Sequence, residues 1–200
     1  LKAQKKGIEK EKLFLLPNWI NFDFLDDKKN LPKVRNKIRY FKKIFKGKIV
    51  LMYSGSMNKK QNFDLIVKCI RKLRNHNNLL WVISGEGSTK NNFIKKVKNY
   101  KNVRIYDLQP FYFLPKWLEF ADIHILPQKK GINNIVLPSK IIGILASGKP
   151  VVATTPEFSE LGKYVSEAGI CVENNEVDNF IKAIIKLSNN KPLREKLGKK

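Results

Sequence analysis

From Lys48 onward, short unbroken apolar runs alternate with stretches whose apolar residues return every three or four positions. Ile49 to Tyr53, Leu79 to Ile83, Val103 to Ile105, Ile123 to Leu126, Pro150 to Ala153 and Gly169 to Val172 read as strands. A run that is apolar at every position is expected of a strand covered on both faces. Between them, Leu65, Ile66, Cys69, Ile70 and Leu73 share one helical face, as do Phe93, Ile94 and Val97. Leu114, Trp117 and Leu118 mark a short helix, and Val177, Phe180, Ile181, Ile184 and Ile185 a longer one, with Asn175 and Asp178 placed to cap it. This order predicts an α/β protein: a Rossmann-like three-layer α/β/α sandwich around a mostly parallel sheet. Ligands of such sheets sit beyond the carboxyl ends of the strands. The loops Ser54–Gln61, Ser84–Thr89, Asp107–Phe111 and Pro127–Lys140 are therefore expected to converge, bringing Gly, Lys, Ser and Asn to one place.

The 200 residues suit one domain with a sizeable core. Residues 1–47 read as a connection, with a short strand over Lys12–Ile20, a helix from Val34 to Phe45 and a helix end at Gly7. Residues 48–190 form the Rossmann-like domain, and residues 191–200 begin a final helix. The first residue is Leu, which suggests a piece of a longer chain. No apolar run has the length of a membrane span, and nothing resembles a signal peptide. Cys69 and Cys171 are far apart in apolar surroundings and read as free, buried thiols of a reducing compartment. The formal net charge of +23 invites nucleic acid, an anionic membrane face or a phosphorylated ligand. The cations are mostly Lys, whereas base readout favours the Arg fork, and no zinc-finger or RNA-binding signature is present. Membrane or phosphate therefore ranks above nucleic acid.

The segment Ile135–Ala153, IVLPSKIIGILASGKPVVA, concentrates the local signals. Pro138 suits a first helical position, Ile141, Ile142 and Leu145 follow at helical spacing, and Gly148 suits a left-handed stop before the next strand. The helix start, with Ser139 and Lys140 beside it, is a candidate anion site; taken alone, these residues fit an ordinary surface helix start slightly better. Gly55 after the first strand would admit a ligand close to the backbone, with Lys60 in reach of a diphosphate; a turn glycine and a solvated lysine are the plainer alternative. This is no Walker A loop, because the Gly-Lys-Ser/Thr ending is absent. Gly85-Glu86-Gly87 lacks the third glycine of a dinucleotide fingerprint. His124 within a strand reads as packed and hydrogen-bonded, Asp122 as structural, and Trp19, Trp81 and Trp117 as core. No metal-ligand spacing and no Ser/His/Asp or Cys/His grouping occurs.

Taken in order, NWINFDFL, YSGSMNKKQNFDLIV, WVISGEGSTKNNF, NVRIYDLQPFYFLPKWLEFADIHILPQ, LPSKIIGILASGKPVVAT and LREKLG resemble the C-terminal half of family 4 glycosyltransferases. The similarity is greatest to the bacterial enzymes of colanic acid, O-antigen and capsule assembly, and it runs from about Lys10 to the end. The resemblance implies the C-terminal, donor-binding half of a GT-B fold. The acceptor-binding N-terminal half then lies outside this chain apart from residues 1–12, so the piece binds donor without completing transfer. By motif, Lys60 falls on the lysine that meets the donor diphosphate, with Gly55 beside it. Ser56 stands where a basic residue is usual. Gly85, Glu86 and Gly87 join the donor site. Leu108 and Gln109 fall where backbone groups meet the base, and Pro138, Ser139 and Lys140 where a helix start meets phosphate. The two glutamates of many members, for sugar and ribose, correspond to Ile135 and Gly143, which are not acidic. Asn133 and Asn134 are the nearest polar substitutes.

The resemblance thus implies a retaining, metal-independent transfer from a UDP- or GDP-sugar to a saccharide or lipid-linked acceptor in cell-surface polysaccharide synthesis. Lys60 and Lys140 would be the catalytic cations. The expected setting is the cytoplasm, with the lysines resting on the anionic inner face of the membrane and no nucleic-acid partner. The missing acids keep two rivals in view: a non-catalytic nucleotide-binding module and a sugar-nucleotide epimerase of the same architecture.

Overall fold

The computed structural model describes residues 4–14, 32–129, 131, 137–173 and 176–199. Six strands form one sheet: β1 (Ile49–Ser54), β2 (Leu79–Ser84), β3 (Val103–Tyr106), β4 (Ile123–Leu126), β5 (Val151–Thr154) and β6 (Gly169–Val172). Their spatial order is β3-β2-β1-β4-β5-β6, and every pairing is parallel, beyond the mostly parallel sheet expected. Between β1 and β4 the direction of winding reverses, the switch point at whose carboxyl edge doubly wound sheets form their ligand crevice.

The strands alternate as fully buried strands must. Leu51 and Tyr53 of β1 join Trp81, Ile83, Ile123 and Ile125 on one face, packed by α2 (Phe63–Lys72), α3 (Lys90–Val97) and α7 (Val177–Ser188). Val50 and Met52 join Leu80 and Val82 on the other, covered by α1 (Pro32–Phe45) and α4 (Leu114–Glu119). A third cluster gathers Leu126, Val151 and Ala153 under α5 (Lys140–Ala146) and α6 (Glu160–Ala168). Trp81 and Trp117 lie in these cores; Trp19 falls outside the described residues.

Helix α1, which the sequence reading set in a connection, is core. Val34, Phe41 and Phe45 are buried, and the Phe41 ring meets Trp117 at 4.8 Å, Tyr106 at 5.5 Å and Phe113 at 6.0 Å between centroids. The spacing of its apolar residues decides this: they form one stripe that only the sheet can cover.

Helix α6 carries no expectation from the sequence, because its apolar positions, Leu161, Val165 and Ala168, are few and interrupted by Gly162. Ser159 makes it: its hydroxyl accepts from the Gly162 amide at 2.9 Å, an N-cap. Helix α7 starts instead from Glu176 without a side-chain cap, and Asp178 bonds Lys72 at 2.6 Å. Asn175 lies outside the described residues, as does most of the strand expected over 12–20, whose Lys12 belongs to a 3-10 turn. Gly7 does end a turn, at φ +85°.

The last helix, α8 (Lys191–Gly198), is anchored at its end. A Cβ on Gly198 would stand 2.0 Å from the carbonyl oxygen of Gly148, the left-handed residue (φ +65°) that turns α5 into β5.

Phe41→Ala empties the centre of this ring cluster and should destabilise the chain by about 3–5 kcal/mol. Urea unfolding followed by tryptophan fluorescence measures this. An unchanged midpoint would mean that α1 is a tether.

Candidate functional site

The described parts of the four expected loops do meet at the carboxyl edge, stitched by hydrogen bonds. The Gly55 amide donates to the Ser84 carbonyl (3.0 Å), that of Met57 to Glu86 (2.7 Å), and that of Thr89 to Met57 (3.0 Å). Ser84 Oγ donates to the Asp107 carbonyl (2.7 Å), which brings in the loop after β3. On the other side the Asn62 amide donates to the Pro127 carbonyl (2.8 Å) and the Lys129 amide to Lys60 (3.1 Å). The β1 loop is thereby clamped between its two neighbours.

Two glycines make the clamp possible, and a third serves another purpose. A Cβ on Gly85 would stand 2.2 Å from the Gly55 carbonyl oxygen, and one on Gly87 (φ +145°) 2.3 Å from that of Met57. The Gly-Glu-Gly run therefore serves a loop lying on a loop, and its lack of side chains is accounted for without a ligand. Gly55 differs. Its φ is +136°, and a Cβ there would lie 2.9 Å from Lys140 Nζ. What the missing side chain admits is an ammonium.

Lys140 crosses from α5 to β1. Its Nζ donates to Tyr53 Oη at 2.8 Å and lies 4.3 Å from the Tyr53 ring centroid. Tyr53 is buried, donates in turn to the Ser56 carbonyl at 2.5 Å, and its ring meets Phe63 edge-on. Burial pushes the Lys140 ammonium down to about 8 and the Tyr53 phenol upward. With no carboxylate bonded to it among the described residues, the cation sits in low-dielectric surroundings. Gly55, Ser56 and Lys140 are thus joined through Tyr53. In the sequence Tyr53 read as one more apolar strand residue; its position beside the glycine was the available signal.

The other expected residues are placed differently. Lys60 is exposed, its amide held by Asn58 Oδ1 at 3.0 Å. Ser56 is exposed, with its hydroxyl 3.3 Å from Asn58 Nδ2. Ser139 is exposed and gives no capping bond. The helix begins at Lys140, two residues beyond Pro138, because the Ile141 and Ile142 amides already donate to the Pro138 and Ser139 carbonyls, at 3.0 and 3.3 Å. Those two N–H groups are taken, so α5 offers less to an anion than its sequence suggested. Leu108 is half-exposed, and Gln109 bonds the Asp107 carbonyl (3.1 Å) and Lys37 (3.4 Å). Asn133, Asn134 and Ile135 lie outside the described residues. A Cβ at Gly143 would meet Leu118 Cδ1 at 3.2 Å, so α4 leaves little room for a glutamate at that place.

Glu86 points to a partner that the sequence reading did not name. Lys90 Nζ bonds both Glu86 and, at 2.5 Å, Asp107 Oδ1. The Asp107 carboxylate and then Glu86 raise the Lys90 ammonium, and Lys90 holds the Asp107 carboxyl down. This carboxylate–lysine–carboxylate group fixes the rim beyond β2 and β3. The spacing of Glu86 and Lys90, four apart at a helix start, was its trace in the sequence.

His124 is buried, and burial pushes its imidazole down to about 3, so it is neutral. Ser147 Oγ donates to the Ile144 carbonyl (2.5 Å) and pairs with His124 Nε2 at 3.1 Å. This pins the end of α5, as the packed reading of His124 expected. Asp122 Oδ2 accepts from the Val50 amide at 2.8 Å and is structural too. Cys69 is buried and Cys171 half-buried; both are free, and burial raises their thiols, to about 12 and about 11. Among the described residues no group of three or more His, Cys, Asp or Glu could hold a metal ion, and no helix is long and apolar enough to cross a membrane.

A 3-2-1-4-5-6 parallel sheet with a cation held at its switch point defines a doubly wound, Rossmann-like α/β domain. Residues 34–200 match the family model described as Glycosyl transferases group 1, and the chain belongs to that family. It is 29% identical over 191 residues to WcaI of Escherichia coli (strain K12), a protein named for colanic acid biosynthesis, covering 92% of this chain and 46% of the relative. It is 28% identical over 184 residues to TuaH of Bacillus subtilis (strain 168), named for teichuronic acid biosynthesis, covering 89% and 43%. The chain thus spans less than half the length of either. Among solved structures, Anabaena Alr3699/HepE, determined with UDP-glucose, superposes with a TM-score of 0.72 at 11% identity, over 98% of this chain and 53% of that one.

Gly55→Ala should expel the ammonium from its seat. In the wild type, the Lys140 side-chain resonance should titrate near 8; in the variant it should move toward the ordinary lysine value. Because the folded value lies below the unfolded one, the unfolded chain binds more protons between about 8 and 10.5. The stability of the wild type relative to Lys140→Met should therefore rise with pH across that window. A Lys140 that titrates above 10 in the wild type would refute the seat.

Proposed function

We propose that this chain is the donor-binding half of a retaining glycosyltransferase that moves a sugar from a nucleoside-diphosphate-sugar to a saccharide or lipid-linked acceptor in cell-surface polysaccharide synthesis. The observation that carries the reading is the Lys140 ammonium, held against Tyr53 beside Gly55 in the crevice between β1 and β4. Membership of the family and the named roles of WcaI and TuaH support the reaction class.

In the proposed mechanism the bond from the anomeric carbon to the diphosphate breaks, and negative charge grows on the departing phosphate. Lys140 meets that charge from a seat already desolvated, so little reorganisation is needed, and Lys60 adds a second cation from the loop tip. Removing one such contact costs about 3 kcal/mol in barrier. Lysines supplying this charge leave no requirement for a metal. Gly55 keeps the seat open, and Ser56 ties the Tyr53 hydroxyl. Gly85 and Gly87 shape the floor, Glu86 fixes Lys90, and Leu108 and Gln109 border the base. Pro138 and Ser139 lead into the phosphate end, with Asn133 and Asn134 assigned to sugar hydroxyls. The free thiols suit a cytoplasmic setting. One observation favours a second reading, a binding module without turnover: the ribose-binding acid is lacking at Gly143, where Leu118 crowds the helix. Turnover of the full-length protein with donor and acceptor separates the two.

Calorimetry of UDP, GDP, ADP and UMP against the chain is the direct test. One diphosphate should bind, UMP more weakly, and Lys140→Ala and Lys60→Ala should each weaken binding about tenfold or more. Affinity should fall as pH rises above about 8, by up to about tenfold per unit, since the ammonium must be protonated to bind. That fall should vanish in Lys140→Ala. Failure of every nucleotide to bind would overturn the reading.

A further inference from the structure

The donor site uses few of the cations behind the net charge of +23. The remainder are not spread evenly. From Lys28 to Phe63 the chain contains no acidic residue, and none occurs from Leu65 to Gly85 or from Gly87 to Tyr106. The parallel sheet converts these intervals into a place. The turns that enter β1, β2 and β3 all lie at the amino edge, and they bring Lys46, Lys48, Arg74, Lys98 and Lys101 together with Arg104 of β3. The acids of the same strands and loops, Glu86 and Asp107, are at the opposite edge. None of the six cations forms an ion pair among the described residues.

Four of them, Lys48, Arg74, Lys101 and Arg104, line an open cavity of about 550 Å³, with Asn77 and Tyr100 in the wall. Three are already tied to backbone carbonyls, Arg74 through Nη1 to that of Arg71 at 3.3 Å. Arg104 Nη1 donates to the Lys101 and Val103 carbonyls, at 2.8 and 2.9 Å, which fixes the guanidinium in the lining. Lys48 Nζ donates to the Asn77 carbonyl at 2.8 Å and retains two further donors. The charged lining is all donor. A ligand that suits it is rich in acceptors and negatively charged, and fixed guanidinium with mobile ammonium is the pairing that phosphate uses. The volume exceeds a bare phosphate and admits a glycerol- or sugar-sized substituent.

We propose that this cavity, at the amino edge of β1–β3, is a second anion site that takes a phosphate ester. It is distinct from the donor crevice: the six-residue length of β1 separates the two edges by about 17 Å. The phosphate could come from a free sugar or glycerol phosphate or from an anionic phospholipid headgroup, and the chemistry recognised is the same. This site does not depend on the glycosyl-transfer reading.

The test adds glycerol 3-phosphate to the chain by calorimetry and, separately, co-sediments the chain with vesicles of phosphatidylcholine alone or with phosphatidylglycerol. Arg74→Gln and Lys101→Gln lie on exposed turns and should leave the fold intact; Lys163→Gln, on α6, is the charge-matched control. Saturable binding of glycerol phosphate, weakened about tenfold by either edge variant and not by the control, establishes a site for free phosphates. Binding only to phosphatidylglycerol vesicles, with the same ranking of variants, assigns it to the headgroup. Diphosphate binding at the donor site should be unchanged in both edge variants. No binding in either arm, equal loss in Lys163→Gln, or mixed-sequence duplex DNA bound as tightly as the vesicles would overturn the proposal.

Discussion

Backbone hydrogen bonds between loops, more than any side chain, hold the carboxyl edge in shape. The Gly55 and Met57 amides hang on carbonyls at the end of β2 and just beyond it, and Lys60 and Asn62 are tied to the segment that follows β4. A loop carried over a doubly wound sheet in this way cannot move without breaking several bonds at once. The glycines at 85 and 87 permit that contact, and the tyrosine at 53 inherits a fixed position from it. Lys140 then reaches a partner already in place.

This arrangement makes electrostatics local in an otherwise overwhelmingly basic molecule. Lys140 and Lys90 are both shielded lysines of the same edge, yet their surroundings push them in opposite directions. Lys90 lies between two carboxylates and is held charged. Lys140 has an aromatic face and a hydroxyl, and its charge is tolerated more than welcomed. Only the second is short of an anion. Residue type and net charge say nothing of this difference; it arises from which side chains the turns bring alongside.

The strands could be read from sequence because burial on both faces leaves an apolar residue at every position, a pattern hard to confuse with anything else. The helices of the main domain followed from periodicity, except α6, whose stripe is short and whose start depends on a Ser159 cap. The role of α1 escaped because a helix in a lysine-rich stretch looks solvated until its stripe of Val34, Phe41 and Phe45 is given a surface to meet. At the site, Gly55 and Lys140 were visible as motif residues, but the bond that joins them runs through Tyr53, eighty-seven positions from Lys140 in the chain. Contacts of that separation leave no local trace. The anion capacity of the α5 start was overstated for a related reason: sequence shows where a helix begins but not whether its first amides are spent on the preceding carbonyls.

The glycine contact at the end of α8 has a mechanical meaning. Gly198 rests on the turn at Gly148, and that turn closes α5, the seven-residue rod whose first residue is Lys140. At a rise of about 1.5 Å per residue the rod is only about 10 Å long, so a displacement of one end would carry to the other. The C-terminal helix is thus a handle on the far end of the lever that carries the lysine. Whatever the rest of a longer chain does to α8 would be felt at the crevice as a tilt of that lever.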